Sequence, residues 1–363
     1  MNNRNVIPFL VFFLLPFVSC SSEENLLEEK IIEVDTQTND TTITEKTDTV
    51  IAEKNDTIIT EKNDTVITGK NDTVITVKYD TIISHAAHKD TIIVAYEKYM
   101  NLSPTISSSQ GAACYDKYFF QGYGSNPALE VYNLDKKQYL CKINITDPKP
   151  NSKIHANSVC FGNQRYDPSD FFPLLYISSG YTTTINGYQC SYIYVFRIRK
   201  DDSDNFIIER VQTITLKGFE GWTEGIPNND NNILWVKYHP NNFYAYASIK
   251  MPKIEDGDVT ITKDDINQDF SLDKDPPNSY NQDHIFYNNR LLLVSGGSAS
   301  DQNKAFIAIN TITQKRELII DLQAIGLSGE PESIFFYKGQ LMIGYRSAIF
   351  IFNIRNVSGD NWL

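Results

Sequence analysis

IFFYKGQLMI, at residues 334–343, and IFIFNI, at residues 349–354, show the pattern from which the architecture of this chain follows. In the first stretch two apolar segments flank the polar pair Lys338-Gly339, as in a β-hairpin with a tight turn. The second stretch predicts a further strand, because β-branched and aromatic residues favour strands. These residues therefore form one unit of strand, turn, strand, loop and strand.

The same unit recurs along the chain, in segments separated by Asn, Asp, Gly and Pro. Two more predicted hairpins are ACYDKYFF at 113–120 and IFYNNRLLL at 285–293. Their following strands are LEVYNL at 129–134 and FIAINT at 306–311. A fourth copy ends in IYVFRI at 193–198, after SVCF at 158–161 and LLYIS at 174–178, and a degenerate fifth lies around 232–261.

Repeated units of this kind resemble the blades of the broad β-propeller superfamily, in the diverged form seen in many bacterial surface lipoproteins. The segment contains none of the sequence signatures that mark the better-defined propeller families, namely a Trp-Asp ending, a kelch glycine pair or an Asp-box. We therefore expect residues 103–363 to form an all-β domain, a propeller of five blades of about 50 residues each. Six shorter blades would also fit, and a β-sandwich or two small sheets is the alternative architecture.

Residues 39–94 repeat with a period of eight. An even period suits an extended chain, since every copy presents the same face. The segment has too little apolar surface to form a core of its own, so it is interpreted as an extended, low-complexity stalk. The copies begin at Asp40, Asp48, Asp56, Asp64, Asp72, Asp80 and Asp90.

The triplet Asp-Thr-(Val/Ile/Thr) in these copies resembles the acceptor of general protein O-glycosylation in Bacteroidota. Sugars on a stalk would hydrate it and shield its Val-Ile pairs from strand pairing. The alternative is a β-prone spacer without sugar, derived from a duplicated octamer. The candidate acceptors are Thr41, Thr49, Thr57, Thr65, Thr73, Thr81 and Thr91.

The N-terminus has the three parts of a secretory signal: Arg4, an apolar stretch from Val6 to Val18, and the ending Val18-Ser19-Cys20. An apolar run of roughly 13 residues is too short to cross a bilayer as a helix. The ending resembles the lipobox of bacterial lipoproteins, although Phe17 stands where leucine is usual. The resemblance implies a signal peptide at 1–19 and diacylglycerol on Cys20, and an ordinary signal peptide is the alternative.

Residues 20–38 form an acidic tether, which begins Cys20-Ser21-Ser22-Glu23-Glu24. This run resembles the signal that sends Bacteroidota lipoproteins to the outside of the outer membrane. The expected location is therefore the outer membrane, facing outwards, with its periplasmic face as the alternative. The expected partner is the membrane itself, to which the lipid on Cys20 would attach the protein.

The net charge and the cysteines limit the kinds of partner and cofactor that this chain can have. The net charge of −12, without a Lys/Arg cluster, argues against a nucleic-acid partner. The four cysteines other than Cys20 allow three disulfide pairings, and reduced core cysteines are equally compatible. Their spacing fits no zinc motif, and the sequence indicates no cofactor and no metal.

In a propeller, polar residues just before the innermost strands converge on one face of the central channel. Carboxylates and histidines there could bind a cation, orient a sugar or act as acid and base, although turns are polar in any β protein. Exposed Trp222 or Trp235 could stack on sugar rings. The candidate binding residues are Gln110, His155, Asn157, Trp222, Glu224, Asp283, His284, Glu330 and Glu332.

The sequence favours a binding module for glycan or protein, presented on a stalk at the cell surface. The alternative is a propeller enzyme, either a glycosidase or lyase with channel carboxylates or a cyclotransferase. An enzyme would need Glu224, Asp283, Glu330 and Glu332 close together in a concave pocket. A binding module would instead have an open aromatic face, and a purely structural envelope role is the third possibility.

Overall fold

The computed structural model describes the backbone of most of the chain, and its side chains from Ile92 onward. The predicted signal peptide 1–19, Cys20, the acidic tether 20–38, Thr41 and Thr73 lie outside the described residues. The described ranges are 49–51, 57–60, 65–68, 74–75, 80–85, 90–106, 108–124, 127–145, 154–240, 243–273, 280–297, 303–356 and 360–363.

The described residues include no helix that is long and apolar enough to cross a membrane.

Short strands occur within the octapeptide region, where β-branched residues favour extended backbone. The first four pair in chain order as antiparallel neighbours, with Val50 opposite Ile59 and Ile58 opposite Ile67, and the fifth pairs instead with the strand that follows it. The sequence predicted extended copies but not their pairing, which Thr-Val-Ile segments favour on the same grounds. The strands are β1 Thr49–Ile51, β2 Thr57–Thr60, β3 Thr65–Thr68, β4 Val74–Ile75 and β5 Asp80–His85.

The next strand, β6 Asp90–Asn101, belongs to the last blade of a five-bladed propeller, which is the predicted fold. Blade 1 follows β6 and is an antiparallel sheet of four strands in chain order. Its strands are β7 Ser109–Tyr115, β8 Tyr118–Tyr123, β9 Ala128–Asn133 and β10 Gln138–Asn144.

Blade 2 has longer outer strands than blade 1 and carries the small hairpin strand β13. Its strands are β11 Val159–Phe161, β12 Leu175–Ser178, β13 Thr183–Ile185, β14 Tyr188–Lys200 and β15 Phe206–Lys217. Blade 3 consists of β16 Glu224–Asn228, β17 Ile233–Tyr238, β18 Tyr244–Lys250 and β20 Ile266–Leu272. Between β18 and β20 the chain forms β19 Val259–Ile261.

Blades 4 and 5 contain two of the hairpins that the sequence predicted. In blade 4 the turn residues Asn288 and Asn289 both have positive φ, as do Lys338 and Gly339 in blade 5, which is the geometry of a type I′ turn. Blade 4 consists of β21 Tyr280–Tyr287, β22 Arg290–Gly296, β23 Ala305–Asn310 and β24 Lys315–Asp321. Blade 5 consists of β25 Pro331–Tyr337, β26 Gln340–Tyr345 and β27 Ala348–Asn356, followed in space by β6 and β5.

The degenerate fifth unit, expected at 232–261, is blade 3, but its bounds were wrong. Blade 3 spans 224–272, and β19 leaves it to pair in parallel with β15 of blade 2. Val259 and Ile261 pack there against the apolar core between blades 2 and 3. This detour places two half-buried β-branched side chains against that core.

The propeller closes through β6, which pairs antiparallel with β27 from Asn101 opposite Ala348 to Ile92 opposite Asn356. Ile92 and Val94 are buried in the same core as Phe352. The expected start of the domain at residue 103 therefore omitted one of its strands. The reason is that Asp90-Thr91-Ile92 continues the octapeptide pattern and so was assigned to the stalk.

One apolar cluster lies between each pair of neighbouring blades. Phe335 of blade 5 and Phe119 of blade 1 stand with ring centroids 4.8 Å apart, and the other four interfaces are equally well buried. Each blade is thus covered on both faces by its neighbours. The four cysteines of the propeller are free thiols, at Cys114, Cys141, Cys160 and Cys190.

Removing β6 tests its role in closure. We expect a chain that starts at Ser103 to show no cooperative thermal unfolding by circular dichroism, whereas a chain that starts at Asp90 unfolds cooperatively. Three side chains that β6 buries, Ile92, Val94 and Met100, each stabilise by about 1.5–3 kcal/mol, and the total approaches the stability of an ordinary domain. Equal melting temperatures for the two chains would contradict this role.

Candidate functional site

The innermost strands β7, β11, β16, β21 and β25 contact one another around the centre of the ring. Seven of the nine candidate residues lie at the first two positions of these strands or up to four residues before them. Asp283 and His284 lie instead in the middle of β21, because this strand begins at Tyr280 and not at Ile285 as the sequence predicted. We call this side of the propeller the channel face. Its members differ greatly in exposure, and this difference separates residues that a ligand can reach from residues that hold the blades together.

An aromatic cluster lies on the channel face between blades 2 and 3. The ring of Trp222 is 5.3 Å from that of His155 and 5.8 Å from that of Tyr181, and His155 and Tyr181 are 5.5 Å apart. Trp222 is 44% exposed, although tryptophan is usually mostly buried. The cluster is therefore an apolar surface that remains open to a ligand.

His155 is oriented by its neighbours. Its Nδ1 donates to Oδ1 of Asn157 at 2.5 Å, and Asn157 itself is buried. In the neutral imidazole this leaves Nε2 as a hydrogen-bond acceptor. Gly124 lies beside Nε2, where a Cβ would approach within 2.8 Å of it, so glycine leaves room at this atom.

A buried charged group lies deeper in the channel and joins blades 3 and 4. Nζ of Lys237 donates to Oε1 of Glu224 at 2.9 Å, and Nδ1 of His284 lies 2.9 Å from Oε2 of the same carboxylate. Burial alone would raise the pKa of Glu224, but Lys237 and His284 outweigh it and lower the pKa to about 2. Burial lowers the pKa of His284, so the ionised pair is Glu224 and Lys237.

Asp283 connects three blades through its carboxyl group. Its Oδ2 accepts from the backbone N–H of Ala112 in blade 1 and of Ile334 in blade 5, both at 3.2 Å. Its side chain is fully buried, and burial raises its pKa well above the ordinary value despite these bonds. A contact from blade 2 completes the centre, where Sγ of Cys160 donates to the carbonyl of His284 at 3.2 Å.

The rim of the channel face carries two further carboxyl groups on blade 5. Oε1 of Glu330 accepts from Nε2 of Gln282 at 2.7 Å. Burial raises the pKa of both Glu330 and Glu332, and Glu332, which is 4% exposed, shows the larger shift. Gln110 is partly exposed at the start of β7, so the rim joins blades 4, 5 and 1.

The four expected acids have two kinds of surroundings, because Glu330 and Glu332 lie at the rim and interact electrostatically with each other. Glu224 and Asp283 are fully buried and bind other parts of the protein. Within the described ranges, no three His, Cys, Asp or Glu side chains are arranged to hold a metal ion. Trp235 was wrongly expected to be exposed; it is 3% exposed and packs against Phe270 in the core.

Sequence reasoning missed three residues of this region, namely Tyr181, Lys237 and Gln282. Lys237 had a usable signal, because it interrupts the apolar strand ILWVKY and a buried lysine requires a partner. Gln282 precedes the predicted Asp283 and His284, but only the pairing of β21 with β22 shows that it is the extra residue at a register shift. Tyr181 lies in a loop whose position depends on the blade contacts.

No family model matches the chain, and no curated protein matches it by sequence. Among solved structures, it is similar to a Myxococcus xanthus glutaminyl cyclase, with a TM-score of 0.42 and 12% identity over 72% of this chain and 97% of that one. It is also similar to the tail fibre of a Staphylococcus aureus phage, with a TM-score of 0.40 and 8% identity over 71% and 52% of the two chains.

A nidogen/laminin complex gives a TM-score of 0.33 and 11% identity, over 72% of this chain and 76% of that one. At these scores and identities, the three structures carry no conclusion about the activity, ligand or partners of this chain.

Replacing Glu224 tests the buried charge. Glu224→Gln should lower the free energy of unfolding at pH 7 by about 3–5 kcal/mol, because Lys237 is left buried without a countercharge. The native pKa of Glu224 is about 2, below the ordinary 4.5, so its contribution is present above pH 4.5 and lost as the pH falls towards 2. Urea unfolding measured across this pH range should show the loss of stability in the wild-type protein and not in the variant.

Glu330→Gln is the matched control, since Glu330 lies at the half-buried rim and its amide replacement can still accept from Gln282. We expect its stability to change by less than about 1 kcal/mol. Similar losses in both variants would contradict a specific role for the Glu224–Lys237 pair.

Proposed function

We propose that this chain is a bacterial surface lipoprotein whose propeller binds glycan at the channel face. The observation that carries the binding role is the exposed aromatic cluster of His155, Tyr181 and Trp222. An open aromatic ring stacks on the apolar face of a sugar, and a neighbouring acceptor such as His155 Nε2 bonds a sugar hydroxyl. A protein ligand would instead need a broad apolar contact surface.

The buried state of Glu224 and Asp283 supports a binding module over an enzyme. A general acid or base must come within hydrogen-bond reach of the substrate, and both carboxyl groups are fully buried and contact a group of a neighbouring blade. These two residues hold inner strands in position. The residues that remain to contact the ligand are those of the aromatic cluster and the rim.

The anchoring part of the proposal rests on the N-terminal sequence, with its apolar stretch, Cys20 and acidic run. The lipid on Cys20 would hold the protein in the outer membrane, facing outwards. The octapeptide region would carry the propeller away from the bilayer. Sugars on its threonines would keep that region hydrated.

Replacing Trp222 tests the binding role. We expect Trp222→Ala to weaken binding to the glycans that the wild-type protein captures on an array by roughly tenfold, measured by isothermal titration calorimetry, with an unchanged melting temperature. Tyr166→Ala is the control, because Tyr166 is 48% exposed and lies in the loop after β11, whereas His155 lies before this strand. Cleavage of a captured glycan would favour the enzyme, and equal affinities for both variants would refute the site.

Anchoring is tested by replacing the acylated thiol. We expect the wild-type protein to incorporate a fatty-acid probe in its native host and Cys20→Ala to incorporate none. The intact mass of the mature wild-type protein should equal residues 20–363 plus lipid, with added sugar increments if the stalk threonines are glycosylated. A probe signal that survives the substitution would refute lipidation at Cys20, and a mass without increments would refute glycosylation.

A further inference from the structure

The first part of β14 continues beyond the inner strands of blade 2 at the channel face. The last residue of β12, Ser178, pairs with Ile193, so the residues of β14 before Ile193 have no partner on β12. Instead β13 pairs with them on that side, and β15 pairs with them on the other. Since a strand rises about 3.3 Å per residue, this extension is about 15 Å long. We call residues 183–192 the blade 2 hairpin.

A comparison of the blades shows that this hairpin is an addition to the fold. Blades 1, 3 and 4 have four strands each, and the additional strand of blade 5, β5, lies at its outer edge. Among the described residues, only blade 2 adds a strand on its inner side. Residues that bind ligands are often carried by such additions to a rigid scaffold.

The hairpin holds His155 and Tyr181 through Ser179, which is buried. The backbone N–H of Ser179 donates to the carbonyl of Tyr192 at 2.8 Å, and the N–H of Tyr192 donates to Oγ of Ser179 at 3.2 Å. The carbonyl of Ser179 accepts from the N–H of His155 at 2.8 Å, and its Oγ donates to the carbonyl of Tyr181 at 3.1 Å. One residue thus joins the base of the hairpin to two members of the aromatic cluster.

The hairpin holds Trp222 through its two neighbours in the chain. On one side, Oε1 of Gln189 accepts from the backbone N–H of Gly221 at 3.1 Å. On the other side, Oγ1 of Thr223 shares a buried hydrogen bond with Oγ of Ser191. Gln189 and Ser191 both belong to the extension of β14, so the same strand segment holds the third member of the cluster.

Gly221 brings this part of the chain close to blade 3. Its φ of +69° lies in the left-handed region, which glycine adopts without strain. A Cβ at this position would lie 2.7 Å from Cβ of His239, and the N–H of His239 donates to the carbonyl of Glu220 at 2.8 Å. The backbone before Trp222 is therefore fixed between blade 3 and the hairpin.

We infer that the blade 2 hairpin assembles the aromatic site, and that Gln189 is a positioning residue for Trp222. The three rings belong to separate segments, and their centroids lie 5.3–5.8 Å apart. Each segment bonds to the extension of β14, either directly or through Ser179. Rings that are fixed before a ligand arrives lose less conformational freedom on binding, and this raises the affinity. The inference rests on the proposed glycan binding.

Two substitutions of Gln189 test the hydrogen bond to Gly221. Gln189→Met removes the acceptor and keeps the length of the side chain, whereas Gln189→Glu keeps an oxygen that accepts. We expect Gln189→Met to bind the glycan that the wild-type protein captures most strongly on an array roughly fivefold more weakly, and Gln189→Glu to bind it as the wild type does. The measurement is isothermal titration calorimetry on the full chain.

The control is Ile185→Ala, because Ile185 is an exposed residue of the same hairpin that belongs to none of these hydrogen bonds. It should keep the wild-type affinity. Gln189 is itself exposed, so we expect the melting temperatures of all three variants to stay close to that of the wild type.

The position of the indole is measured separately, by fluorine NMR with 5-fluorotryptophan in place of the three tryptophans. Trp222→Phe identifies the resonance of Trp222. We expect this resonance to shift in Gln189→Met and to stay in place in Gln189→Glu and Ile185→Ala. The resonances of Trp235 and Trp362 should stay in place in all three variants.

An unchanged Trp222 resonance in Gln189→Met would overturn the positioning role, and a shifted resonance with unchanged affinity would overturn its effect on binding. Equal losses of affinity in all three variants would also overturn the role of this hydrogen bond. Each of these results leaves glycan binding standing. A wild-type protein that captures no glycan would overturn the proposed function, while the Trp222 resonance would still show whether Gln189 positions the ring.

Discussion

Every blade of this propeller has apolar side chains on both faces, and such a sheet is stable only where both faces are covered. In a row of blades the two outermost faces would stay exposed, and closing the row into a ring removes that exposure. The ring closes inside blade 5, where β6 from the N-terminal side pairs with the C-terminal β27. The positions of all inner strands, and so of the channel face, depend on this closure.

Closure also brings the polar starts of five strands into a small volume. Charged groups there lose contact with water, and this loss is compensated only by a partner or by neutralisation. Glu224 has Lys237 as its partner. Asp283 is neutralised instead, since its raised pKa favours the uncharged acid. Its Oδ2 still accepts two backbone hydrogen bonds from neighbouring blades.

The sequence was sufficient to predict the propeller, because short apolar segments and tight turns recur in the same order. The hairpins at 113–120, 285–293 and 334–343 are confirmed as the inner strands of blades 1, 4 and 5. The pattern could not place β6, whose first residues read as a repeat copy, or β19, which pairs with a strand from another blade. Both depend on contacts between distant residues, which periodicity does not encode.

The candidate site was predicted in outline for the same reason. Strand starts can be located from the sequence, and the fold makes them converge. The exposure of the two tryptophans also has a signal in the sequence, because Trp235 stands in the apolar run at 233–236 and is buried, whereas Trp222 stands between Gly221 and Thr223 and is 44% exposed. Bulges, by contrast, are hidden, since one extra residue in Pro331-Glu332-Ser333 is visible only against the register of the partner strand.

The innermost strands β7, β21 and β25 each carry a β-bulge near their starts, whereas β11 and β16 pair regularly with their neighbours. A regular strand alternates its side chains, so blades 2 and 3 keep the alternation that packs their cores. In these blades His155 and Trp222 lie in the segments before the inner strands, and Tyr181 lies in the loop after β12. A bulge shifts the alternation by one residue without changing the rest of the strand. In blades 4, 5 and 1 the residues within the bulges are Gln282, Glu332 and the pair Gln110-Gly111, and Ile334 stays in the core after its bulge. Local register shifts can thus change which side chains the inner strands present on this face, while the apolar interfaces that close the ring remain intact.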